Sequence, residues 1–216
     1  MSSLRSLSRP VDRRDSLAEV ERGRLLDEFN AAVRCPSAHG GVARLPLLLD
    51  TLAVDADRSD GARWIVDDNA RLDMAAAVRS LFPQPEIHVV AAEYGAAAHR
   101  RGWLRVDRVL AADEHTHLVE TTKDWARTDR SLDDVLTRYG APSVVFGDQD
   151  PHAAKTLGYA PADPTEPLAV FHFGEAEDTS SAPLLAFRSG HDTFGTSIAF
   201  TPLGKGAFYA REKHRD

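Results

Sequence analysis

Apolar positions recur every three to four residues from Ser16 to about Arg34. Leu17, Val20, Leu25, Phe29, Ala32 and Val33 stand among Glu, Arg and Asp, a pattern that predicts an amphipathic helix weakened at Gly23. Cys35-Pro36 ends it, and 37–41 is read as loop. The run Leu45 to Leu52 contains Pro46 and fits either a short helix with proline in its first turn or an edge strand. The helix is preferred, and Asp55 to Gly61 follows as a polar turn.

Arg63 to Val66 is read as a short strand. Asn69 then opens a helix whose Leu72, Ala75, Ala76, Val78 and Phe82 keep helical spacing up to Pro83 and Pro85. Glu86 to Ala92 predicts a buried strand. Trp103 to Ala111 and His115 to Thr122 predict a hairpin around an acidic turn at Asp113-Glu114, followed by a charged connector, Lys123 to Arg130.

Residues 131–147 are the most legible stretch. Ser131 suits a helix N-cap, and Asp133 and Asp134 suit the positive end of the helix dipole. Leu132, Val135, Leu136 and Tyr139 form one apolar face. Gly140 and Pro142 stop the helix, and Ser143 to Phe146 continues as a strand. Three more strands are predicted at Leu168 to Phe173, Leu184 to Arg188 and Thr196 to Thr201, separated by short polar turns. Short connections favour antiparallel neighbours. The fold class that follows is α+β, a mostly antiparallel sheet covered by three to four helices. The organisation is a flexible Ser/Arg-rich segment 1–15, an N-terminal half 16–130 and a C-terminal half 131–216, either as two units or as one continuous domain.

Composition narrows the partners. Lys and Arg number 26 against 33 Asp and Glu, a formal charge of -7, which disfavours nucleic acid and anionic membrane surfaces and suits a basic protein partner. A single cysteine, Cys35, excludes a disulfide framework and a Cys-rich zinc site. No apolar run approaches a membrane span and no apolar stretch follows the basic N-terminus, so a cytoplasmic location is expected.

Familiar catalytic motifs are absent. There is no phosphate-binding GxxxxGK[ST] or GxGxxG, and no GxSxG nucleophile elbow. Ser189-Gly190-His191-Asp192 reads as a turn, because triad members come from separate elements. Asp67-Asp68 reads as helix capping, and Trp64, Trp103 and Trp125 as packing residues.

Nine histidines leave one metal candidate. On a strand, His115 and His117 would share a face, His88 and His172 would add ligands from neighbouring strands, and Glu93 or Glu120 would complete a zinc or iron site. A second candidate is the loop after the 143–146 strand, where Asp148, Asp150 and His152 stand together, with Lys155 and Tyr159 close by in sequence. Catalytic residues as such are not identified. The stretches LDDVLTRYGAPS, KTLGYA and PLAVFHFG read as a recurring bacterial module without pointing to a named family.

Two functions follow. The first is an acidic protein-binding domain of immunity or inhibitor type that caps or neutralises a protein partner, with no cofactor. The alternative is a small-molecule enzyme, metal-assisted through the strand histidines.

Overall fold

The computed structural model describes residues 19–60, 87–176, 181–190 and 197–212. The segment 1–15, the strand expected at 63–66, Asp67-Asp68, the helix opened by Asn69, and His191-Asp192 lie outside these residues.

Six α-helices and five strands form an α+β fold among the described residues, more helices than the three to four expected. Helix α1 (Glu19–Arg34) buries Leu25, Phe29, Ala32 and Val33. A 3-10 turn (Pro36–His39) leads to α2 (Arg44–Asp60). The preference for helix over edge strand at 45–52 is correct, but the helix continues through the expected turn at 55–60. The Arg22–Asp55 ion pair (2.6 Å) and the Arg44–Glu28 pair run the two helices antiparallel.

The expected strand Glu86 to Ala92 is instead the start of α3 (Ile87–His99). Every residue from His88 to Gly95 is buried, so no amphipathic period exists to separate helix from strand. The alanines that follow favour helix. The expected hairpin is also absent. Trp103 to Ala111 is irregular chain, tied to the sheet by Leu110 N–H to the Ala160 carbonyl and Asp107 N–H to the Ser143 carbonyl. Residues from Ala112 form α4 (Ala112–Trp125). Asp113 and Glu114 belong to its first turn, where the helix dipole favours them, rather than to a β-turn.

Helix α5 (Leu132–Tyr139) forms as expected. Ser131 Oγ accepts from Asp134 N–H at 3.2 Å, and the Asp134 carboxylate accepts from Ser131 N–H at 2.9 Å, a reciprocal cap. Gly140, at φ 71°, ends the helix in a conformation that side chains rarely adopt.

The chain then runs as an open antiparallel meander in the order β1-β2-β3-β4-β5. The strands are β1 (Val144–Gly147), β2 (Lys155–Tyr159), β3 (Ala169–Phe173), β4 (Leu184–Arg188) and β5 (Ile198–Phe200). Strand β2 is not among the expected elements, being buried at every position and so without alternation. His172 pairs with Ala186 but Phe173 pairs with Leu184, which leaves Leu185 as an extra residue in β4. The bulge keeps Leu184 and Phe187 on one face of the sheet.

Both faces are covered. Val144, Phe146, Val170 and Ala186 pack with α1, α2 and α3. Leu157, Tyr159, Phe171, Phe173 and Phe187 pack with Leu118 of α4 and Leu132 and Val135 of α5. Helix α6 (Pro202–Glu212), also not expected, starts at Thr201, whose hydroxyl accepts from Gly204 N–H at 3.0 Å, with Pro202 in the first helical position. No described helix is long and apolar enough to cross a membrane.

Candidate functional site

Between α3 and the sheet lies a line of buried polar groups. His88 Nδ1 is 2.8 Å from Thr156 Oγ1, and Thr156 Oγ1 is 2.9 Å from His172 Nδ1. The cross-strand partners Thr156 and His172 share a sheet face, and His88 reaches them from the first turn of α3. Two of the four histidines considered as ligands are thus joined through a threonine hydroxyl. His172 is fully buried, and that burial, reinforced by His88 and Arg188, holds its imidazole well below the usual range.

Glu93, one of the acids expected to complete a ligand set, instead pairs with Arg188 of β4. Burial pushes its carboxyl up, while Arg188 and Arg100 pull it down. Both side chains are largely enclosed, at 6% and 11% exposure, so the pair cross-links α3 to the sheet. Desolvation offsets much of the attraction in a buried pair, and removing one partner would leave the other charge buried and uncompensated.

His115 and His117 do not share a face. Two residues apart on α4 they point in different directions; His115 is buried with Leu118 and Thr122, whereas His117 and Glu120 are exposed. His115 Nδ1 lies 3.2 Å from Glu166 Oε2, and its imidazole is pushed down by burial, against the opposing influence of Glu166 and the Pro167 backbone. The expected four-histidine ligand set is therefore divided: His88 and His172 meet at Thr156, His115 meets Glu166, and His117 faces solvent. Among the described residues no group of three or more His, Cys, Asp or Glu is arranged to hold a metal ion.

The loop candidate Asp148, Asp150 and His152 forms the β1–β2 turn. Asp148 Oδ1 accepts from Asp150 N–H and Asp150 Oδ1 accepts from His152 N–H, each at 2.9 Å. These are Asx turns, in which a side chain replaces a backbone acceptor. The buried Lys155 does join the loop, donating from Nζ to the Asp150 carbonyl; burial pushes its amine down, and Asp148 and Asp150 oppose that. Tyr159 does not join it. Its hydroxyl donates to the Gly140 carbonyl at 2.9 Å, and burial pushes the phenol above its usual range.

Sequence reading misses Thr156, Arg188 and Glu166. Thr156 lies in the strand without alternation, and the others are joined to their partners only by tertiary contact. Comparison with protein-family models, with curated proteins and with solved structures returns no match.

Proposed function

We propose that this chain is a cytoplasmic protein-binding domain of immunity or inhibitor type, which caps a basic protein partner through the outer face of its α1–α2 helix pair. The observation that carries the reading is on α2. Its inner face sends Leu45, Leu48, Leu49, Leu52 and Ala53 into the core, and its outer face presents a second apolar line. Leu47 is 67% exposed and Val54 49%, seven residues apart on one side of the helix, with exposed Thr51 between them. Val20 of α1 is also exposed, at 86%. Exposed aliphatic side chains sharing one helix face are what a partner's apolar anchors cover. The net charge of -7 adds long-range attraction to a basic surface.

Capture on immobilised protein, followed by reconstitution from the purified pair, tests the reading. The expected result is a one-to-one complex with a single basic protein, tighter at low salt. Leu47→Asp combined with Val54→Asp is expected to weaken it by roughly 100-fold, about the loss of one hot-spot cluster, while leaving Tm unchanged. A complex indifferent to both substitutions, or no stoichiometric complex at all, defeats it.

A further inference from the structure

Three hydrogen-bonded side chains stitch α3 to the sheet. His88 stands in the first turn of α3, Thr156 in β2 and His172 in β3, and both imidazole Nδ1 atoms reach the same threonine oxygen, at 2.8 and 2.9 Å. Thr156 and His172 are fully buried and His88 nearly so. One half of this seam belongs to the helix and the other to the strands, and they meet through a single hydroxyl.

Among the described residues, the charged and titratable groups around the seam are His88, Glu93 and Arg100 of α3 and Arg188 of β4. Strand β2 contributes Thr156, and Ser197 beside β5 accepts from Arg188 Nε at 3.1 Å. Glu93 is the carboxylate of this set, and it is already paired with Arg188. A proton arriving on His172 therefore puts a further positive charge near Arg188 at a site closed to solvent, and His88 and Arg188 both oppose it. Once both rings are protonated, each Nδ1 donates to Thr156, and the threonine proton has no acceptor within the triad. Lifting α3 hydrates the helix groups and the strand groups together and removes each of these penalties.

We infer that the His88–Thr156–His172 seam is a proton-operated latch: uptake of a proton at His172 releases α3 from the sheet while the strands stay paired with one another. The strands can stay paired because each ladder from β1 to β5 joins neighbouring strands and none runs through α3. Their other face remains covered, since Leu157, Tyr159, Phe171, Phe173 and Phe187 pack with α4 and α5 on the side away from His172. Helix α2 packs mainly on α1 and α3, so the three helices move as one layer. The direction follows from linkage. Burial keeps His172 neutral in the closed form, whereas the open form restores the ordinary imidazole value of 6.5. Opening thus takes up a proton below pH 6.5, and its equilibrium constant grows by up to about tenfold per pH unit.

Native-state hydrogen exchange on the purified full chain, corrected for the intrinsic pH dependence of amide exchange, tests the latch. Opening of α3 amides is expected to rise as the pH falls below 6.5, while amides of β2 and β3 stay protected. In His172→Gln that rise is expected to be shallower by up to about tenfold per pH unit, the share of one proton. His117→Gln, exposed on α4, is expected to match the wild type. Where His172→Gln does not fold, ring-nitrogen NMR of the wild-type protein decides. A His172 ring still neutral at pH 6.5 supports the latch, and one half-protonated at that pH overturns it. An unchanged pH slope of α3 opening in His172→Gln overturns it too. So does exchange of β2 and β3 together with α3 at every pH, which is unfolding of the whole molecule.

Discussion

Thr156 Oγ1 has one proton and two imidazole neighbours, so it donates to one of them at most. At least one of His88 and His172 therefore carries its proton on Nδ1 and donates to the hydroxyl. Thr156→Val keeps the shape and removes that partner from both rings. A loss of about 1–3 kcal/mol is expected in denaturant unfolding, because buried polar groups lose a hydrogen bond without regaining water. The same site predicts an acid limit. The folded-state pKa of His172 lies well below its ordinary 6.5, so its stabilising contribution is complete above pH 6.5 and is lost as the pH falls below that value. His99 and His115, also shifted downward, act with the same sign. The three histidines are thus expected to lower Tm as the pH falls below 6.5, and His172→Gln to make that fall shallower than in the wild type. A pH dependence of Tm identical in His172→Gln and wild type contradicts the assignment. None of this is legible in the sequence: His88 and His172 stand out as histidines in apolar runs, but their shared partner is 68 residues from one and 16 from the other.

Elements differ in how openly the sequence declares them. Helix α5 is legible because its cap, apolar face and stop signal agree within ten residues. Helix α3 is not, because burial on every side erases periodicity, and α4 is disguised because Asp113-Glu114 suits a turn as well as a helix start. Helix α6 is hidden by its own glycines, yet one of them has a tertiary reason. A Cβ on Gly204 would stand 1.9 Å from the carbonyl oxygen of Leu185, the bulge residue of β4. Gly204→Ala must push α6 off the sheet, and a loss of about 1–3 kcal/mol is expected. A Cβ on Gly23 in α1 would meet nothing within 4 Å, so Gly23→Ala is expected to stabilise by about 0.5–1 kcal/mol through helix propensity alone. Thermal unfolding of the two variants measures both, and equal effects would refute the distinction.

At the scale of the molecule, fold class is readable and the assembly of polar groups is not. Short polar connections between the expected strands announce an antiparallel sheet, whereas the Glu93–Arg188 link spans 95 residues. The order β1-β2-β3-β4-β5 has a further consequence, for the sequence of events in folding. Each strand pairs only with its chain neighbours, so every pairing from 144 to 200 closes a short loop at small entropic cost. Helices α1 and α2 reach the same core from more than eighty residues upstream and contribute no strand. They form an outer layer, with α2 packing mainly on α1 and α3 rather than on the strands. Such a layer opens as a cooperative unit below the global unfolding free energy. In native-state hydrogen exchange, amides of α1 and α2 are expected to exchange together and ahead of those in β2 and β3. Simultaneous exchange of all four elements would mean that the helical layer and the meander open only as one.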